Sequence, residues 1–217
     1  MKTFIQLENK PERELPEKFK SDDVRYPENF VKYFLEQFTK EGDIILDPFA
    51  GFGTTMLVSE AMNRVAYGIE YDEDHFQYTK SQLKHPERLI HGDSLKLDSY
   101  DLPQFDFCLT SPPYMGAEDE ENPFTAYTEP GQGYAQYLSD ITTVYKQVSQ
   151  LMKPAAKVVV EVSNVKQPRG VTTLAWDIGK SLAKVMTFEG EIVVGWTPTY
   201  GMGYDHSYAL VYSKRVI

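Results

Sequence analysis

Asp47-Pro48-Phe49-Ala50-Gly51-Phe52-Gly53-Thr54-Thr55 follows the apolar run Asp43-Ile44-Ile45-Leu46, and a helical pattern begins near Thr54. A strand that stops at Asp-Pro and turns on two glycines builds a ligand crevice at its carboxyl end. Proline lacks an N–H, so Pro48 ends the ladder. Gly51 and Gly53 allow a tight turn and close approach of a ligand. The helix amino terminus then points free N–H groups outward. A plain strand-to-helix turn can use the same residues, so the stretch gains its meaning from a second motif.

That motif is Thr110-Ser111-Pro112-Pro113-Tyr114, after the apolar run Phe105-Asp106-Phe107-Cys108-Leu109. Pro112 biases Ser111 toward an extended shape, and two consecutive prolines stiffen the strip. The strip offers a hydroxyl, outward carbonyls without local donors, and an aromatic face. Those groups suit a planar amine, whose hydrogens a carbonyl and a hydroxyl can accept while the ring stacks. A proline-stiffened loop with a packing tyrosine is the plainer alternative.

Together the two stretches resemble the S-adenosylmethionine-dependent DNA amino-methyltransferases. Asp47 to Thr55 is similar to that family's cofactor motif, and Thr110 to Tyr114 to its catalytic motif. The resemblance implies methylation of an exocyclic base amine, cytosine N4 or adenine N6. Serine rather than aspartate at position 111 is more typical of the cytosine-N4 enzymes. It also implies an α/β, doubly wound, Rossmann-like methyltransferase fold. That fold has a seven-stranded, mainly parallel sheet in the order 3-2-1-4-5-7-6, with an antiparallel last strand.

The residue pattern leads to a similar sheet. Strands are expected near 43–47, 65–70, 87–92, 105–110, 156–163, 189–197 and 207–214, and helices near 54–63, 73–84, 133–152 and 171–186. Alternation of this kind gives a parallel sheet covered by helices on both faces. Only Pro198 to His206 separates the last two strands. A parallel crossover needs about a dozen residues or more, so the last strand should return as a hairpin. Phe30, Phe34 and Phe38 recur at helical spacing from Pro27 to Thr39, and Tyr134 to Met152 carries a long apolar stripe. Residues 1–20 are charged and punctuated by proline, and read as an N-terminal arm before one catalytic domain over 21–217.

Composition is that of a globular chain, with 41% hydrophobic and 25% charged residues among 217. No apolar run reaches membrane-spanning length, and a cytoplasmic location is the default expectation. Cys108 is the single cysteine and is expected in the core. His75, His85, His91 and His206 show no metal-ligand spacing, and no metal is expected. The net charge of −10 suits a chain that grips nucleic acid poorly alone. It points to weak binding, a small structured substrate or a basic partner chain.

The site expected from these strand ends has two halves. Ser111, Pro112, Pro113 and Tyr114 form the amine clamp, beside Thr110. Asp47, Pro48, Phe49, Ala50, Gly51, Gly53, Thr54 and Thr55 form the cofactor turn. Glu70, at the end of the second strand, is expected to accept from ribose hydroxyls, with Tyr71 or Asp72 bordering the adenine. Asp93 either approaches the adenine amine, as the resemblance implies, or caps a turn, with Ser94 beside it. The resemblance also implies that Arg25-Tyr26-Pro27 and the Phe30 helix correspond to the family's segment that closes over the methionine end of the cofactor. Met115 to Gln132 carries the acidic run Glu118 to Glu121. It is expected to be a solvated, mobile loop or, alternatively, a lid with Phe124 and Tyr127 as wedges. The loops Ser163 to Lys166 and Tyr200 to His206 could shape the target pocket.

No stretch resembles a separate target-recognition region. Three functions remain open. The first is a small DNA amino-methyltransferase, cytosine N4 preferred, using loops, a homodimer or a partner chain for recognition. The second is an RNA base-amine (guanine N2) methyltransferase, against which Ser111 argues mildly. The third is a non-catalytic cofactor-binding subunit.

Overall fold

The computed structural model describes residues 2–124, 133–199 and 203–215. The chain order is β1 (Phe4–Glu8), α1 (Glu28–Phe38), β2 (Ile44–Asp47), α2 (Thr54–Ala61), β3 (Val65–Glu70), α3 (Glu73–Gln82), β4 (Leu89–His91) and β5 (Phe105–Thr110). It continues α4 (Tyr134–Leu151), β6 (Met152–Val162), β7 (Val165–Gln167), β8 (Gly170–Thr172), α5 (Leu174–Leu182), β9 (Thr187–Thr197) and β10 (His206–Ser213).

The main sheet has the order β1-β9-β10-β6-β5-β2-β3-β4. β10 runs antiparallel to both β9 and β6, and every other pair in that sheet is parallel. Without β1 this is the expected doubly wound order with its reversed strand. The eighth strand comes from the segment read as an arm. Phe4 to Glu8 pairs with Val193 to Thr197 along the sheet edge. Ile5 faces inward and Phe4 outward, so one short half-buried strand is added without a long apolar run.

The core lies on both faces of this sheet. On one, Phe30, Val31, Phe34 and Leu35 of α1 pack with Ile45, Phe107, Leu109, Val159 and Val194. Full burial of each such side chain contributes about 1.5–3 kcal/mol. On the other, Tyr137, Ile141, Val144 and Val148 of α4 meet Val158, Val160 and Val162, with Ile178 and Leu182 of α5. The expected aromatic stripe of α4 is therefore core. Cys108 is fully buried, and burial pushes its thiol well above the usual range.

Most element boundaries shift by one or two residues, and two differ by more. The helix expected over 171–186 is shorter, because Gly170 to Thr172 turn back on Val165 to Gln167 as an antiparallel hairpin. The strand expected from 156 begins at Met152. Among the described residues no helix is long and apolar enough to cross a membrane, and no group of three or more histidine, cysteine, aspartate or glutamate side chains could hold a metal.

Candidate active site

The turn after β2 is held open by left-handed backbone. Gly51 has φ +50° and Gly53 φ +75°. A Cβ on Gly53 would lie 2.4 Å from Thr79 Cγ2, so α3 packs directly on the turn. Thr79 Oγ1 donates to the Gly51 carbonyl at 2.8 Å. Thr54 then opens α2 with Gly53 as its cap.

Hydrogen bonds join this turn to the second motif. Thr110 Oγ1, at the end of β5, donates to Asp47 Oδ1 at 2.6 Å, and the Phe49 N–H reaches the same oxygen at 3.1 Å. Thr55 Oγ1 donates to the Leu109 carbonyl at 3.3 Å and shares a 2.5 Å hydrogen bond with the Tyr26 hydroxyl. Asp47 is 2% exposed. Burial outweighs its hydrogen bonds and raises its carboxyl from 3.8 to about 6. Glu70 accepts the Gly51 N–H at 2.6 Å and the Asp72 N–H at 2.8 Å, one on each oxygen. Burial raises its carboxyl as well.

A crevice of about 970 Å³ opens at these strand ends. That lies at the upper end of the usual range for small-molecule sites, about 300–1,000 Å³. Tyr26, Asp47, Pro48, Phe49, Ala50, Gly51 and Thr54 line it. Glu70, Tyr71, Asp93 and Ser94 form the next part of the wall, and Ser111, Pro112, Pro113 and Tyr114 also line it. Gly53, Thr55 and Thr110 do not; their contacts shape the wall from behind. Asn9, Pro11 and Arg25 also border the crevice, so the amino-terminal segment supplies part of the wall.

The clamp rests on a residue that sequence reasoning missed. Glu161, near the end of β6, has no exposed surface. Its Oε2 accepts from Ser111 Oγ at 3.0 Å and from the Tyr114 hydroxyl at 3.0 Å. The Tyr114 hydroxyl in turn accepts the Ser163 N–H at 2.8 Å. A signal was available: Glu161 is the lone acid in Val158-Val159-Val160-Glu161-Val162. A central strand buried on both faces reads as continuous apolar residues, and an acid inside one needs partners.

Several expectations change. The Pro113 carbonyl is not turned outward to a ligand, since the Tyr137 hydroxyl donates to it at 2.9 Å. Asp93 does cap a turn: it accepts the Leu95 N–H at 2.9 Å, and it borders the crevice too. Ser94 Oγ donates to the Pro48 carbonyl, tying β4 to the cofactor turn. Phe124 is no free wedge; its ring packs on Phe49 and Tyr137, each at 5.7 Å. The acidic run is exposed, as expected, and its first two members bond to the β7–β8 hairpin segment. Ala117 N–H bonds Thr172 Oγ1 at 2.8 Å, and Gln167 Nε2 donates to Asp119 Oδ1 at 3.0 Å. Tyr127 and Tyr200 to Met202 lie outside the described residues.

S-adenosylmethionine, the cofactor expected here, carries an ammonium, a sulfonium, a carboxylate, a ribose diol and an adenine. The wall fits those groups. Thr54 Oγ1 is buried without a hydrogen-bond partner among the described residues. A buried polar group left unsatisfied is costly, and a ligand can supply its partner. Asp47 is a buried carboxylate on the crevice wall, suited to a cationic ligand. Glu70 retains acceptor capacity beyond its two backbone bonds.

Comparison with known proteins agrees with this geometry. Residues 5–81 match the family model of N6- and N4-methylating enzymes described as DNA methylase. The Type II methyltransferase M.BglII of Bacillus subtilis is 39% identical over 52 residues, covering 24% of this chain and 14% of that protein. The Type II methyltransferase M2.DpnII of Streptococcus pneumoniae is 36% identical over 64 residues, covering 28% of this chain and 24% of that protein. The matches thus span less than a third of these curated relatives' own length. Among solved structures, TrmN from Thermus thermophilus superposes with a TM-score of 0.65 at 16% identity, covering 91% of this chain and 52% of that one. A methyltransferase from Pyrococcus furiosus gives 0.58 at 15% identity, covering 87% and 83%. At such identities these two likenesses concern the fold alone.

Proposed function

We propose that this chain, which belongs to the S-adenosylmethionine-dependent DNA amino-methyltransferase family, methylates an exocyclic base amine in DNA, with cytosine N4 preferred over adenine N6. The observation that carries the reading is the Thr110–Asp47 hydrogen bond at 2.6 Å. It locks the cofactor turn to the amine clamp, so both motifs line one crevice.

S-adenosylmethionine, when bound, supplies the electrophilic methyl group. Glu70 would hold the ribose, and Thr54 with the α2 amino terminus would receive the methionine carboxylate. Asp47 faces positive charge. On the other side, an exocyclic amine is a poor nucleophile because its lone pair is delocalised into the ring. Ser111 Oγ and the Pro112 carbonyl accept its hydrogens and favour a pyramidal nitrogen. Positive charge grows on that nitrogen during transfer, and fixed acceptors stabilise it without reorganising. Tyr114 packs on the base, which in a duplex must first leave the stack. Cys108 is buried in the core, so the mechanism uses no covalent base adduct.

Ser111 favours cytosine over adenine, by its likeness to the cytosine-N4 motif. Acidity of the chain, at −10, favours help from loops, a second copy or a partner chain in gripping DNA. The test is incubation with labelled S-adenosylmethionine and either duplex DNA or cellular RNA, followed by mass spectrometry of the nucleosides. N4-methylcytosine from DNA supports the proposal. A methylated RNA base, such as guanine N2, would replace it with the RNA alternative. Cofactor binding without transfer to either polymer would favour a non-catalytic subunit.

A further inference from the structure

We infer that Glu161 fixes the hydrogen-bond polarity of the clamp, and so makes the site choose a base that presents an amine over one that presents a carbonyl. The inference rests on the proposed function. It concerns a positioning residue, since Glu161 acts through Ser111 and Tyr114 and does not line the crevice.

A serine hydroxyl has one hydrogen to donate and two lone pairs to accept with. The Ser111 hydrogen is directed at Glu161 Oε2, 3.0 Å away. What Ser111 then offers the crevice is acceptor only. The Tyr114 hydroxyl is oriented in the same way. It accepts the Ser163 N–H at 2.8 Å, so its own hydrogen goes to Glu161 Oε2 at 3.0 Å. Two hydrogens converge on a single oxygen, which suits a carboxylate that can only accept.

Glu161→Leu would remove that acceptor, and Ser111 could then rotate its own hydrogen into the crevice. The clamp would offer a carbonyl one donor beside the Pro112 acceptor, and its bias toward an amine would weaken. With Glu161 in place, a carbonyl base meets lone pairs against lone pairs. Its oxygen stays unsatisfied in a buried site, and such mismatches reject analogues strongly. Cytosine and uracil differ at this edge by just that exchange, as do adenine and hypoxanthine.

The experiment compares binding of duplex oligonucleotides carrying the unmodified amine base, or its carbonyl counterpart, at the target position. S-adenosylhomocysteine is present, and fluorescence anisotropy gives the affinities. Wild-type protein should prefer the amine base by roughly 10-fold or more. Glu161→Leu should reduce that preference by about 3-fold or more, with S-adenosylhomocysteine affinity by calorimetry unchanged. A preference that survives undiminished in Glu161→Leu overturns the inference. Should that variant fail to fold, Ser111→Ala removes the acceptor while leaving Glu161 and Tyr114 in place. The same loss of preference is expected, and its persistence would overturn the inference independently. Methyl transfer by the wild type is measured alongside. If the wild type methylates a DNA amine and both variants keep the preference, Glu161 has no such role and the proposed function stands. If no base amine is methylated, the proposed function falls and this inference falls with it.

Discussion

Replacing Asp47 with asparagine should make the ligand-free protein relatively more stable as pH rises. The Asp47 carboxyl lies at about 6 in the folded chain, against 3.8 for the free group, chiefly because it is buried. The folded state therefore holds this proton more tightly than the unfolded state. Its contribution is intact below about pH 3.8 and is lost as pH rises through about 6. At neutral pH the shift corresponds to roughly 3 kcal/mol of lost stability. Between pH 4.5 and 7.5 the loss from this one group is about 2 kcal/mol. Asparagine keeps an oxygen for the Thr110 hydroxyl and the Phe49 N–H, both of which bond the same Oδ1. It removes the charge. Urea unfolding of both proteins at the two pH values reads the effect, because titrating groups that do not interact with Asp47 cancel in the difference; the interaction of Asp47 with Glu70 is removed together with the charge. The variant should gain about 2 kcal/mol on wild type between pH 4.5 and 7.5, whatever its offset at either pH. It should also bind S-adenosylmethionine more weakly at pH 7.5, since a cationic ligand loses its facing charge. A variant-minus-wild-type difference that does not change with pH would refute the argument that Asp47 is held as a strained, buried anion.

Three further outcomes test other links. Gly53→Ala should lower stability by roughly 1–3 kcal/mol and weaken cofactor binding, because φ +75° and a 2.4 Å approach to Thr79 both oppose a Cβ; thermal unfolding and calorimetry read it. Phe34→Ala removes a fully buried ring from beneath α1 and should cost about 3–5 kcal/mol in chemical unfolding. Ser111→Ala should reduce methyl transfer by about 100-fold or more while leaving cofactor affinity near wild type, as measured by initial rates and calorimetry; a loss of cofactor affinity instead would show that the division between turn and clamp is wrong.

Much of the fold was legible because its signals are local. The Asp-Pro-Phe-Ala-Gly turn marks a strand end, and the short Pro198–His206 connection forces a reversed strand. β1 was hidden because five residues with alternating exposure beside a charged segment carry little periodic signal. The β7–β8 hairpin was absorbed into the α5 pattern, since three-residue strands are too short to show a period. At the site, the cofactor turn and the clamp could be read from their backbone requirements. The bond between Thr110 and Asp47 could not, because it joins residues 63 positions apart. Glu161 was overlooked for the same reason, its partners lying 50 and 47 positions away. The acidic run is exposed, as its composition implied, but the bonds of Glu118 and Asp119 to the β7–β8 hairpin segment were not legible because that hairpin itself was hidden.

Identification of the methylated nucleoside tests the central claim most directly. Protein, labelled S-adenosylmethionine and duplex DNA, with cellular RNA in a parallel reaction, are digested and resolved by mass spectrometry. The account predicts label in N4-methylcytosine from DNA. Label in an RNA base alone, or in neither polymer despite measured cofactor binding, would contradict it.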